Sequence, residues 1–206
     1  ILRRRGDDLA SRSVESAAIT FTALTVMLQI RHVINDGNIY RPSASLAELG
    51  LQVSTALAMT IGLEHVRART GSTVHDIAAR ILGALGFLGA LVSLGLYFNP
   101  VFTGQAVGGL FFNVLLLGYG IPAILFAILA RMIRDTRPAL AYVVAAVTAI
   151  GLALVYLTLE VRTIFHGPVI RGFAASDAEQ YTYSAVWLGF GVALLLVGIV
   201  LKSQPA

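Results

Sequence analysis

Six stretches of this chain, near residues 13–34, 46–65, 75–98, 107–132, 139–165 and 178–201, are each apolar over the roughly 20 residues needed to cross a bilayer's hydrocarbon core. In lipid the backbone N–H and C=O groups must be satisfied inside the protein, and a helix does this within its own segment. The connections are short, so consecutive helices are expected to be antiparallel neighbours. The fold class this dictates is all-α: a polytopic transmembrane bundle of six spans, forming a single domain over residues 1–206. Composition agrees, with 13% charged and 57% apolar residues where a soluble domain carries about a quarter charged.

The net charge of +4 does not point to nucleic acid. The basic residues stand in short clusters between apolar runs, no nucleic-acid motif accompanies them, and topology accounts for them. One side of the expected bundle holds Arg3, Arg4, Arg5, Arg12, Arg67, Arg69, Arg80, Arg131, Arg134, Arg137 and Lys202; the other holds Arg31, Arg41, Arg162 and Arg171. Positive charge gathers on the cytoplasmic side. Both termini are therefore expected in the cytoplasm, with the loops around Arg31 and Arg162 facing outward. The chain has no cysteine, which excludes disulfides, thiolate metal sites and a cysteine nucleophile.

Polar chemistry concentrates in two hairpins. In residues 28–48 and again in 159–187, an arginine ends one apolar run and a glutamate opens the next. Arg31, Ser45 and Glu48 match Arg162, Ser176 and Glu179 at one offset of 131 residues. Four helices separate equivalent points, so the copies run in the same direction, and this partial internal repeat predicts a pseudo-symmetry axis along the membrane normal. Each Ser-x-x-Glu reads as a capping box, with the serine oxygen on the third helical amide and the glutamate reaching back to the cap. Arginine in a last helical turn complements the dipole and snorkels to the headgroups. The same groups are also candidates to line an outward pocket for an anionic headgroup, a sugar phosphate or a partner's carboxylate. That candidate site comprises Arg31, Glu48, Arg162, Glu179, Asn113 and Tyr183. His166 corresponds to Asn35 in the other hairpin.

In the third span, Gly83, Gly86, Ala90 and Ser93 form a small-residue stripe that lets a neighbouring helix approach. In the fourth, Pro122 cannot donate to the carbonyl of Gly118, so Gly118, Gly120 and Pro122 are expected to kink or break the helix as a hinge. Asn113 needs a hydrogen-bond partner in the bundle. Asp76 and Arg80 form an i,i+4 pair. The scattered histidines make no metal set, and no phosphate loop, zinc motif or nucleophile elbow is present, so no metal, cofactor or catalytic residue is assigned.

Residues 99–123, NPVFTGQAVGGLFFNVLLLGYGIPA, and 160–191, EVRTIFHGPVIRGFAASDAEQYTYSAVWLGFG, resemble a large bacterial family of predicted multi-spanning membrane proteins, domain of unknown function 2339. The resemblance implies a polytopic architecture and an inner-membrane address. Members of that family are usually longer, which, with Ile1 at the start, implies an internal or trimmed piece of a longer chain. It carries over no catalytic residue. Three functions stay open, and the reading leans away from an enzyme. The first is a non-enzymatic scaffold or assembly module of an envelope complex. The second is a transporter or lipid- or glycolipid-handling protein. The third is a membrane-embedded envelope enzyme using Glu160 or Glu179. The expected partners are the lipid bilayer and either other membrane subunits or the rest of the same chain.

Overall fold

The computed structural model describes residues 8–41, 45–172 and 174–200. Arg3, Arg4, Arg5, Lys202 and the Leu201 end of the sixth apolar stretch lie outside the described residues. The bundle is all-α, with no strand among the described residues, and six of its helical segments are long and apolar enough to span a membrane. In chain order they are α1 (Leu9–Ile34), α2 (Leu46–Thr70) and α3 (Thr73–Leu88), which runs on as a π-helical stretch over Gly89–Tyr97. A single turn, α4 (Pro100–Thr103), follows. A π-helical turn over Leu116–Gly120 leads into α5 (Ile121–Ile133), and α6 (Ala139–His166) and α7 (Asp177–Val200) complete the bundle.

Local chemistry sets most boundaries. Asp8 accepts a 2.7 Å hydrogen bond from the Ser11 N–H and starts α1, and Gly71, at φ 67°, closes α2 in the left-handed conformation that glycine adopts without penalty. Ser45 and Ser176 each accept from the amide three residues on, at 3.1 and 3.3 Å. That is the serine half of the expected capping boxes. The glutamate half differs: Glu48 and Glu179 turn their carboxylates to other partners, for reasons given below.

The core sits on α2 and the fourth span. Half of the most apolar window of Leu116–Ile133 is buried and none of that in α1 or α7, so the first and last helices are peripheral. α2 packs against α1, α3 and α5, and α6 packs against α5 and α7. Leu46, Leu57, Leu94, Leu115, Tyr119 and Phe126 fill the centre. The small-residue stripe of α3 faces α2. A Cβ on Gly86 would lie 3.1 Å from Leu57, and one on Gly83 would lie 3.3 Å from Thr60. Contact is closer still at Gly50 of α2, where a Cβ would meet the Leu117 carbonyl and stand 2.7 Å from the Gly118 Cα.

The fourth span departs from expectation at its start. Its apolar run begins near residue 107, but the helix begins only at Val114. Gly108 and Phe111 both have positive φ, 90° and 60°, a conformation that breaks a helix and that a bulky residue rarely adopts. Asn113 then caps the new helix, its Oδ1 accepting from the N–H groups of Leu115 and Leu116 at 2.8 and 3.2 Å. The break expected at Pro122 takes the form of a π-helical turn, with the Ile121 N–H reaching back to the Leu116 carbonyl. This turn meets the other π-helical stretch directly, through a 2.7 Å bond from the Tyr119 hydroxyl to the Leu94 carbonyl.

Candidate functional site

The two hairpins make the same hydrogen bonds with corresponding residues. In the first, Arg31 Nε donates to the Ile39 carbonyl at 2.7 Å and Nη1 to Glu48 Oε1 at 2.6 Å. In the second, Arg162 Nε donates to the Ile170 carbonyl at 2.8 Å and Nη1 to Glu179 Oε1 at 3.5 Å. Asn35 Nδ2 reaches Glu48 Oε2 at 3.1 Å, and His166 Nε2 reaches Glu179 Oε2 at 2.8 Å. Gln52 Nε2 and the Tyr183 hydroxyl, one turn into the second helix of each hairpin, complete the set on Oε1 at 3.3 and 2.6 Å. Every one of these pairs is related by 131 residues. The sequence reading found the arginines, serines and glutamates but not Gln52, Ile39 or Ile170. Their signal was the same offset, hidden because a backbone carbonyl serves any residue and because glutamine and tyrosine look unlike.

Both carboxylates are almost fully buried, so each needs a charge or several donors nearby. The donors come from the hairpin itself. Arg31 also donates from Nη2 to the Arg41 carbonyl, which spends its guanidinium fork on one loop and one acid. This explains why neither glutamate reaches back to its cap amide: each buried carboxylate is taken up by donors inside its corner, Arg31 for Glu48 and Tyr183 with His166 for Glu179.

Residues 104–107 tie the corners together at one end of the bundle. Gln105 Oε1 accepts from the Leu46 N–H at 3.1 Å, beside the first corner, and the Val107 N–H donates to the Pro168 carbonyl at 2.8 Å, within the second. Gly118, in the π-helical turn, also packs against Leu46. Asn113 joins a different group. Its Nδ2 donates to Glu160 Oε1 at 2.7 Å, while Glu160 Oε2 accepts from the Phe111 N–H at 3.1 Å. The Phe111 carbonyl takes the Tyr156 hydroxyl at 2.9 Å. The left-handed Phe111 is thus gripped from both sides by two α6 residues one turn apart, and Glu160 serves this loop while Arg162 serves Glu179. Trp187 donates to Thr158 Oγ1 at 3.0 Å and so joins α7 to α6.

The opposite end carries a second charge network. Arg137, in the turn before α6, donates from Nε and Nη2 to Glu64 Oε1 at 2.9 and 2.6 Å and from Nη1 to Asp76 Oδ1 at 2.5 Å. Arg67 pairs with Glu64 Oε2 at 2.9 Å, and Arg80 with Asp76 Oδ2 at 2.7 Å. Burial works against the Arg137 charge, but the hydrogen bonds and charges of Glu64 and Asp76 outweigh it and raise its pKa above the ordinary arginine value. The i,i+4 pair seen in the sequence is therefore one edge of a five-residue cluster joining α2, α3 and the α5–α6 turn. Beside it, between α3 and α6, a cleft of about 530 Å³ runs from Arg80 and Arg137 to Phe87 and Phe126. Among the described residues no group of histidines and acids is placed to hold a metal ion.

The family described as "Predicted membrane protein (DUF2339)" matches residues 1–206. No curated protein and no solved structure matches the chain. With the whole length covered, and six helices long and apolar enough to span a membrane, the chain belongs to the DUF2339 family of predicted membrane proteins.

Proposed function

We propose that this domain is a non-enzymatic scaffold or assembly module of an envelope complex, built on an internal repeat of two arginine–glutamate hairpins. It would lie in the bacterial inner (plasma) membrane with both termini in the cytoplasm. The observation that carries the reading is where the polar groups go. Arg31, Glu48, Arg162 and Glu179 bond within their own hairpins, which fits a staple that fixes helix ends better than a pocket that awaits a ligand. Meanwhile α1 and α7 turn large apolar side chains outward, among them Phe21 and Leu24 on the first and Leu188 and Leu195 on the second. These are the faces a neighbouring subunit, or further helices of the same chain, would cover. The arginine-rich end supports the orientation, since Arg67, Arg69, Arg80, Arg131, Arg134 and Arg137 all stand there.

Photo-crosslinkers placed at Leu24 and Leu188 in living cells test the assignment. A discrete protein adduct from either position is expected, and adducts to lipid alone from both positions would overturn it. Cysteines at Gly109 and Thr70 test the orientation: an impermeant reagent applied from outside should label the first and spare the second.

A transport reading draws on a separate observation, the two π-helical stretches joined through Tyr119 and Leu94 next to Gly118, Gly120 and Pro122. Widened helical turns are frequent at functional positions. A hinge there requires water to reach Asn113 during turnover, so an Asn113→Cys variant that resists soluble thiol reagents from both sides of the membrane would rule it out.

A further inference from the structure

We propose that the cleft between α3 and α6 holds one anionic phospholipid, drawn from the leaflet at the arginine-rich end, with its acyl chains between the two helices and its phosphate against Arg80. The inference begins with the shape. α3 and α6 stand apart, while α2 and α5 pack behind them and contribute Thr60, Phe126 and Leu129 to the floor. The walls are hollowed by small residues, Gly83 and Ala84 on one side and Ala141 and Ala145 on the other. Their volume of about 530 Å³ falls within the range of small-molecule sites, roughly 300–1,000 Å³.

The depth selects the occupant. On α3 the lining runs from Ala79 to Phe87, and on α6 from Leu140 to Ala145. At 1.5 Å per residue this is about 10 Å along the membrane normal, less than half of the roughly 30 Å hydrocarbon core. A transmembrane helix seated here would find a groove for only a third of its length. Acyl chains belonging to one leaflet end at such a depth, and the phenyl groups of Phe87 and Phe126 meet them there.

Charge selects the headgroup. The cleft's lining contains two guanidiniums, Arg80 and Arg137, and one carboxylate, Glu64. Arg137 is held by Glu64 and Asp76, which fixes the wall. Arg80 is different: its side chain is 66% exposed and pairs with Asp76 through Nη2 at 2.7 Å, so a phosphate would take the exposed remainder of its planar fork in the geometry arginine favours. α6 adds to this field, because it starts at the mouth with no side-chain cap and no acidic residue in its first turn. The cleft and the exposed arginine together make an amphiphile's site, apolar below and cationic above. It is independent of the scaffold reading and lies at the other end of the bundle from the two corners.

The test is lipid retention by the purified protein, taken from nanodiscs of equal phosphatidylglycerol and phosphatidylcholine and measured by native mass spectrometry. Both lipids carry a phosphate, but the choline cation offsets it in phosphatidylcholine, so only phosphatidylglycerol brings net negative charge to Arg80 and should be retained about tenfold over phosphatidylcholine. Arg80→Gln should bring the ratio close to one with lipid still bound. Ala84→Trp and Ala141→Trp, at exposed positions whose side chains line the cleft, should lower retention of both lipids. Leu195→Trp on the far face of α7 should change neither, and thermal unfolding of each variant confirms that the bundle is intact. The proposal fails if the wild-type protein shows no preference, if the preference survives Arg80→Gln, if Ala84→Trp leaves retention unchanged, or if a crosslinker at Ala84 captures a polypeptide in place of lipid.

Discussion

Replacing Glu48 with glutamine separates charge from shape at the first corner. Three donors converge on this carboxylate: Arg31 Nη1 and Gln52 Nε2 on Oε1, and Asn35 Nδ2 on Oε2. Glutamine offers one oxygen and one NH2. Arg31 has no acceptor, so the oxygen must stay on its side, and the new NH2 then faces that of Asn35. Turning the Asn35 amide over would sacrifice its 2.9 Å bond to the Arg31 carbonyl. One hydrogen bond is lost either way, about 1 kcal/mol. Arg31 also loses its counter-charge. For a fully buried pair that costs about 3–5 kcal/mol, but the Arg31 side chain is a quarter exposed, so about 1 kcal/mol is the appropriate figure. Glu48→Gln should therefore destabilise the bundle by about 2 kcal/mol. Glu179→Gln should cost no more than about 1 kcal/mol. There the Tyr183 hydroxyl keeps its oxygen, His166 can present its other tautomer and accept from the new NH2, and Arg162 at 3.5 Å already contributes little. Steric trapping in micelles measures both values on the same scale. A Glu179→Gln loss equal to or larger than that of Glu48→Gln would refute the reasoning, because it rests on what Asn35 cannot do and His166 can.

Gly50→Ala should cost about 2 kcal/mol or more in the same assay, since its methyl group would press on the backbone of Leu117 and Gly118; Gly62→Ala on the same helix, with open space around it, should be neutral or slightly stabilising. Arg137→Gln should cost about 2 kcal/mol, since the buried Glu64 loses its Arg137 bonds but keeps the one from Arg67, whereas Arg80→Gln should stay under about 0.5 kcal/mol; comparable losses would show that the cluster does not depend on its buried member. Glu160→Ala should release the loop before the fourth span, read as faster amide exchange at Phe111 with the α2 amides unchanged. Tyr119→Phe should cost about 1 kcal/mol through the lost bond to Leu94, and a neutral result would mean that the carbonyl finds another donor.

The spans were legible because a bilayer imposes a length and a polarity on every segment that crosses it. The corners were legible because an arginine and a glutamate recur at one spacing where apolar runs end and begin. What the sequence concealed was of two kinds. Phe111 sits in an apolar run that reads as helix, and only its contacts with Glu160 and Tyr156, from 45 residues or more along the chain, explain why it does not continue one. Glu64 and Arg137, separated by 73 residues, each look like ordinary helix-end charges until packing brings them together. His166 reads as a surface loop residue, whereas the structure places it at the end of α6 against the buried Glu179. In each case a partner distant in sequence decides the outcome, and local pattern has no access to it.

The short crosspiece through Gln105 and Val107 has a mechanical consequence. Like a bar across the jaws of a clothes-peg, it locks the separation of two otherwise independent hairpins at that extremity. The far extremity carries its own clasp, the cluster of Arg137, Glu64 and Asp76, so the inner helices are pinned at both ends while the first and last spans rest against them from outside.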